Sequence, residues 1–473
     1  MKKKLIALFV GILIFYIFLF GIFIFIFEKR VSDTYIKEHP VERFYADETG
    51  ADRALIIDEP RDSAIVRVNM IETAQQTLDI SYYSMVSGKV TNTFWGLLLE
   101  AAERGVKVRI ILDGIANGLK SDKAEILYAI KKHPNIELKF YEPINVWKPW
   151  TLNNRLHDKY IIADETIAVI GGRNIGDRFM VPKGYEGKVT FDRDVVIFNN
   201  HQKNSVIPSL TAYFNEVYNS KFAKEPAGIL SKPQEEMATE KIKELKQTLQ
   251  KERVTKDNIF HKQINWTEVT LPTNKITLIH NPIQRFKEPW VWYEMTQLFR
   301  QAEKSIFLQS PYIVPAKKMM PGFVNEFKNE GVKLNVLTNS RASTPNYLAF
   351  SVYLLYRKQI VESGAEVYEY HGEHSIHTKA YGIDDNISLI GSFNLDPRSA
   401  FLSTETMVVI HSEEVKKQLD DMTADYKKKS LLIGDDGQYV IEKDSIKERT
   451  VGTMKAALLK VIGYCGRFFE FLL

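Results

Sequence analysis

The chain opens on an apolar run that no globular element needs. After Met1 and the basic residues Lys2, Lys3 and Lys4, residues 5–27 carry no charge. At ~1.5 Å per residue such a helix crosses ~30 Å of hydrocarbon with some tilt. The run ends Ile24-Phe25-Ile26-Phe27-Glu28-Lys29, without the small residues of a signal-peptide cleavage site. The pattern predicts one uncleaved transmembrane helix over 5–27. Basic residues also follow the span (Lys29, Arg30, Lys37, Arg43), but the cluster on the short tail points to a cytoplasmic N-terminus with the bulk of the chain outside.

Beyond the anchor, helical and strand periods alternate. Residues 74–83 pass from a helix end into a strand, and 94–104 have helical spacing. Gly105 interrupts, and Val106-Lys107-Val108-Arg109-Ile110-Ile111-Leu112 reads as a buried strand ending at Asp113-Gly114. This alternation predicts an α/β sheet. The same pattern then recurs: residues 302–308 repeat 74–80 at an offset of 228, and 331–334 repeat 105–108 at an offset of 226. Two copies of one unit follow. Residues 1–30 form the tail and anchor, 45–220 the first unit, 221–272 a charged helical connector, 273–430 the second unit and 431–473 a C-terminal tail. Residues 235–253, rich in Glu, Lys and Gln, predict an exposed, solvated helix. Residues 450–473 are apolar with Lys455, Lys460 and Arg467 interspersed. They predict an amphipathic helix packed on the body, or alternatively one lying in a lipid interface.

Composition narrows the picture further. Of 473 residues, 45% are hydrophobic and 26% charged, which suits a folded chain of more than one domain. The single cysteine, Cys465, excludes an intrachain disulfide framework and a cysteine zinc site. A net charge of +4 gives no support to a dedicated nucleic-acid binder.

The chemistry lies inside the repeat. His157-Asp158-Lys159 is followed by Asp164 and by Gly171-Gly172-Arg173-Asn174. His377-Thr378-Lys379 is followed by Asp384 and by Gly391-Ser392-Phe393-Asn394. Every position is offset by 220. Duplication alone preserves a hydrophobic pattern; it gives no reason to keep His, Lys, Asp, Gly and Asn together. Residues two apart on a strand share a face, so each His projects with its Lys. The glycines let backbone approach a ligand. Asn174, Asn394 and Ser392 can donate to a phosphoryl oxygen. Asp164 and Asp384 fall at hairpin turns, and are candidates either for the catalytic set or for holding the turn. A neutral imidazole can attack phosphorus, a protonated one can supply a leaving group's proton, and two lysines can hold the equatorial charge. Each imidazole needs an orienting acid. Asp194, with Asp192 as its alternative, is expected near His157, and Glu405 near His377. The stretch His371-Gly372-Glu373-His374 lacks the helical i, i+4 spacing of a zinc pair, so no metal is expected there.

At these residues the chain resembles the phospholipase D superfamily, whose signature is the duplicated His-x-Lys-x4-Asp motif. The resemblance extends over roughly residues 54–419. It is most similar to the bacterial cardiolipin synthases, on the strength of residues 171–177, Asp194, 310–312, 337–340, 353–357 and 394–399. The resemblance implies two α/β lobes about a pseudo-two-fold axis, with one site between them. It also implies a phosphohistidine intermediate with no metal or cofactor, and His157 as nucleophile with His377 as acid then base, the near-symmetry of the motifs leaving the exchanged roles as the alternative. The implied substrates are phospholipids, phosphatidylglycerol first among them; a nuclease could carry the same motifs, and the anchor and the near-neutral charge argue against nucleic acid. The implied location is the cell membrane; the lysine cluster on the N-terminal tail is what points to catalytic lobes outside. Whether the acceptor is a lipid alcohol or water depends on how well the site excludes water.

Overall fold

The computed structural model describes residues 2–119, 124–200, 203–254, 259–260, 263–315, 319, 331–442 and 446–473. Each half of the chain builds the same sheet. In the first half, Thr77–Tyr82, Lys107–Asp113 and Ile136–Tyr141 are parallel neighbours. Their runs of buried Ile, Leu and Val suit strands covered on both faces. Thr77–Tyr82 then pairs antiparallel with Lys159–Ala163, and the sheet continues through Ile167–Gly171, Asp194–Phe198 and Arg53–Ile57. In the second half the corresponding order is Glu366–Tyr370, Lys333–Asn339, Ser305–Gln309, Ala380–Ile383, Ile387–Gly391, Thr406–His411 and Lys275–His280. Thr77 lies opposite Lys107 and Ser305 opposite Lys333, so the two sequence offsets correspond to one register.

Helices cover the outer face of each sheet. Trp95 and Leu98 pack on Ile110, Ile161 and Val169 in the first lobe; Val291, Leu298 and Phe350 pack on Ile306, Val336 and Leu389 in the second. The inner faces share a third core, in which Ile56, Ile162 and Val195 meet Ile276, Ile390 and Val408. The lobes are therefore joined by apolar burial, which fixes their relative position.

The connector departs from expectation. A helix does form over Lys232–Val254, but Ala238, Leu245 and Leu249 are buried in it. Leu245 and Leu249 join the first lobe's outer core. This sparse stripe is hidden in composition by the charges around it. Some of those charges are paired: Arg253 bridges Glu72 and Glu100 at 2.8 and 2.7 Å.

The N-terminal helix runs Lys2–Gly21 and closes in a turn of 3-10 helix, Phe23–Ile26. Lys2–Ile26 is long and apolar enough to cross a membrane, and most of its side chains are exposed. At its close Phe25 turns into the second lobe's core, with Ile24 packed against it, and stacks on Phe286.

Candidate active site

Two short parallel bridges cross from lobe to lobe. Arg155–Leu156 pairs with Ser403–Thr404, and Thr190–Phe191 pairs with Ser375–Ile376. Leu156 lies opposite Thr404, so the next residues, His157 and Glu405, emerge side by side. Ile376 lies opposite Phe191, which does the same for His377 and Asp192. His157 Nδ1 is 2.9 and 3.0 Å from the two Glu405 carboxylate oxygens. His377 Nδ1 is 2.6 Å from Asp192 Oδ2. Each histidine is thus oriented by the other half of the chain. With Nδ1–H donated to a carboxylate, each ring keeps its Nε2 lone pair.

The orienting acids are fully buried, whereas the histidines retain some exposure. Ser392 Oγ donates to Glu405 and accepts the Thr406 N–H at 3.0 Å. Asp192 fits because position 172 is glycine; a Cβ there would stand 2.4 Å from Asp192 Oδ1. Lys159 and Lys379 are wholly buried. Each ammonium donates to the carbonyl of the histidine two residues earlier. Lys379 Nζ also sits 2.7 and 3.1 Å from the ring nitrogens of His377.

These groups form one electrostatic cluster. Burial and the charges of Lys159 and Lys379 hold His157 well below the ordinary imidazole range. Burial and Lys379, opposed by Asp192, bring His377 down to about 3. Burial lowers Lys159 to about 7 and Lys379 to about 8, against the nearby carboxylates. The two acids differ. Burial works to raise Asp192, but Lys379 and His377 outweigh it and hold it at about 2. Burial raises Glu405 to about 7 in spite of Lys159. A phosphodiester anion entering this cluster would offset the two ammonium charges and raise both imidazoles.

Several expectations need correction. Asp194 does not orient His157. Its Oδ2 accepts from Ser63 Oγ, Arg67 Nη1 and Arg173 Nε at 2.7, 2.9 and 3.1 Å. Glu405 serves His157, not His377, and Asp192 serves His377. The deciding register is that of the interlobe bridges. Asp164 and Asp384 stand away from the chemistry, at the other end of the strands that begin beside the lysines. Asp164 accepts the N–H groups of Gln75, Gln76 and Thr77 at 2.8, 2.7 and 2.9 Å. Asp384 accepts those of Glu303, Lys304 and Ser305 at 3.0, 2.7 and 2.9 Å. Both clamp the start of the adjacent strand. Ser392 holds Glu405 instead of facing a phosphate. The glycine at 172 makes room for an acid, not for a ligand. Asn174 and Asn394 are buried, and each has an amide oxygen without a hydrogen-bond partner among the described residues.

Sequence reasoning missed the aromatic rim. The Tyr83 ring lies edge-on to His157 at 5.1 Å, and Phe179 lies 6.1 Å from His377. Tyr312 accepts a long bond, 3.4 Å, from Asn394 Nδ2. Tyr83 and Tyr312 follow equivalent strands, and that symmetry was the available signal. Arg398, whose charge also lowers His157, lies within residues 394–399. His371 accepts the Arg449 N–H and His374 packs on Phe191. Among the described residues, no group of three or more His, Cys, Asp or Glu is placed to hold a metal ion. A cavity of about 880 Å³ lined by Asp58, Phe191, Trp266 and Tyr426 contains none of the motif residues. Candidate chemistry is therefore assigned to the histidine pair, not to that cavity.

A family model described as cardiolipin synthase, PLD-like domain, matches residues 68–216 and 295–425. An uncharacterized protein of Helicobacter pylori is 30% identical over 404 residues, covering 77% of each chain. Cardiolipin synthase C of Escherichia coli is 26% identical over 405 residues, covering 77% of this chain and 82% of its own. Among solved structures, the phosphatidylserine synthase of Haemophilus influenzae is similar in fold, with a TM-score of 0.62 at 13% identity. That match covers 89% of this chain and 95% of the other.

Proposed function

The chain belongs to the cardiolipin synthase, phospholipase D-like domain family, and on that premise we propose that it is a membrane-anchored phosphatidyltransferase that makes cardiolipin from two phosphatidylglycerols. The observation that carries this reading is the pair of cross-lobe dyads, His157–Glu405 and His377–Asp192, gathered around two buried lysines.

The reaction runs in two displacements. His157 Nε2 attacks the phosphorus of one phosphatidylglycerol, and a P–N bond forms. The P–O bond to the head-group glycerol breaks, and His377, protonated once the bound phosphate anion offsets the lysine charges, gives its Nε2 proton to the departing oxygen. His377, now neutral, takes the proton from a hydroxyl on the head group of a second phosphatidylglycerol. That oxygen attacks phosphorus, the P–N bond breaks, and His157 is restored. The products are cardiolipin and glycerol. Lys159 and Lys379 hold the negative equatorial oxygens through both steps, supported by Asn174 and Asn394.

The unequal acids support the division of labour. Asp192, firmly ionised, stabilises an imidazolium at His377. Glu405, poised near neutrality, is the weaker partner for a second imidazolium and suits a histidine that attacks in its neutral form. Lys2, Lys3 and Lys4 favour a cytoplasmic tail, with the catalytic lobes on the outer face.

The test is to give the purified full-length protein phosphatidylglycerol vesicles and follow products by mass spectrometry. Cardiolipin and glycerol in equal amounts are expected. Phosphatidic acid without cardiolipin would make the enzyme a hydrolase of the same fold.

A further inference from the structure

The C-terminal helix, Thr453–Gly466, has two apolar faces. Leu459, Gly463 and Gly466 pack on the helix Tyr347–Glu362. The approach is close enough that a Cβ at position 463 would lie 2.7 Å from the Ser351 carbonyl. The other face carries Met454, Leu458, Val461, Cys465 and Phe468. This spacing of four, three, four and three residues is one helical stripe. The whole stripe is exposed, Met454 by 86% and Phe468 by 79%. Lys460 and Arg467 are exposed on its flank.

The end of this segment is fastened to the membrane anchor. Phe471, Leu472 and Leu473 pack into the core cluster that holds Phe25, at the close of the anchor. A loop of the first lobe also meets the anchor. Tyr16 OH donates to the Trp147 carbonyl at 3.0 Å, and Asn153 Nδ2 donates to the Gly21 carbonyl at 2.6 Å. Tyr16 precedes the end of the helix at Gly21 by five residues, or about 7.5 Å along the axis. Trp147 is 69% exposed, and its neighbours Ile144 and Val146 are exposed too.

We propose that the outer stripe of the C-terminal helix and the loop around Trp147 form a two-sided clamp that inserts into the lipid interface around the anchor's exit. The proposal rests on the membrane-anchored reading of the preceding section. Continuity with the anchor selects a lipid leaflet as the occupant. The loop meets the anchor more than a turn before its helical end, which matches the ~5–10 Å by which interfacial apolar faces sink into the boundary of head groups and acyl chains. The flanking Lys460 and Arg467 suit the phosphates of anionic lipids. Both arms of the clamp also reach the active site. Arg398 donates its backbone N–H to the Leu473 carbonyl and its side chain to Asn153 Oδ1, and it shares a short loop with Asn394. Seating the clamp therefore sets the height of the histidine pair above the leaflet from which its substrates come.

The experiment uses the chain's only cysteine. Cys465 in the full-length protein is labelled with bimane, and the protein is reconstituted at one copy per nanodisc in phosphatidylglycerol and phosphatidylcholine. Nitroxides on the lipid chains near the head group are expected to quench the label, and aqueous iodide to leave it protected. Leu458→Lys with Val461→Lys is expected to return the label to iodide while the circular dichroism stays unchanged. Trp147→Cys in a Cys465→Ser background tests the second arm and should behave like the first. A protein that floats with the discs while its labels meet iodide freely would overturn the clamp alone. A protein that does not float would overturn the anchored reading as well. Protection found only with two copies per disc would make the stripe a self-association face, and would also overturn the proposal.

Discussion

The Glu405 carboxylate, from the second half of the chain, lies 2.9 Å from Nδ1 of His157 in the first half. Asp192 returns the exchange at His377. Each lobe thus supplies a histidine and the acid for its counterpart, and neither lobe alone holds a complete dyad. Glu405→Gln and Asp192→Asn should each lower kcat by about 10³-fold or more, because the imidazole loses the partner that fixes its tautomer. Asp194→Asn should act on stability instead, since it weakens a buried carboxylate shared by Arg67 and Arg173. Turnover and thermal unfolding of the three variants check this. Near-normal turnover in Glu405→Gln, with loss of chemistry in a fully stable Asp194→Asn, would contradict the exchanged pairing.

Asp164→Ala removes the acceptor of three backbone N–H groups. The expected cost is ~1–3 kcal/mol of stability, with kcat of the folded fraction unchanged within about threefold. Thermal unfolding and active-site-normalised turnover separate these effects. A large fall in kcat at unchanged Tm would return Asp164 to the catalytic set.

The fold was largely legible because duplication wrote it twice: a hydrophobic pattern repeated at offsets near 220–228 can only be one unit used again. The histidines and lysines were legible for the same reason. The exchange of acids was not. It depends on two-residue bridges, Leu156 against Thr404 and Ile376 against Phe191, and such long-range registers leave no local period. Asp164 and Asp384 were conspicuous by the same offset, yet their repetition reflects a repeated structural clamp. Residues 450–473 were legible as an amphipathic helix, but not the stripe from Met454 to Phe468. Only the packing of Leu459, Gly463 and Gly466 showed that the helix carries a second apolar face.

Activity should fall on the alkaline side. Lys159 and Lys379, lowered to about 7 and 8, are charged below those values and neutral above them, while a phosphodiester stays anionic throughout. Binding of the anion, and with it kcat/KM, should therefore decline as pH rises through 7–8. On the acid side, Glu405 near 7 takes up a proton and releases its hold on His157, so the rate should also decline below neutrality. A pH profile of kcat/KM on a soluble phosphodiester checks both limbs. A rate that is flat from pH 6.5 to 9.5 would contradict the assignment.

The most direct test of a single shared site with His157 as nucleophile is to trap the intermediate. In His377→Ala, a phosphodiester with a good leaving group needs little proton donation, so attack by His157 should proceed. The second step lacks its base and should stall. After an acid-free quench and digestion, mass analysis of the histidine-containing peptides should find the phosphoryl label on His157. Label on His377 in the His157→Ala protein would reverse the roles, and label on neither histidine in either variant or in the unaltered chain would contradict covalent catalysis at this site.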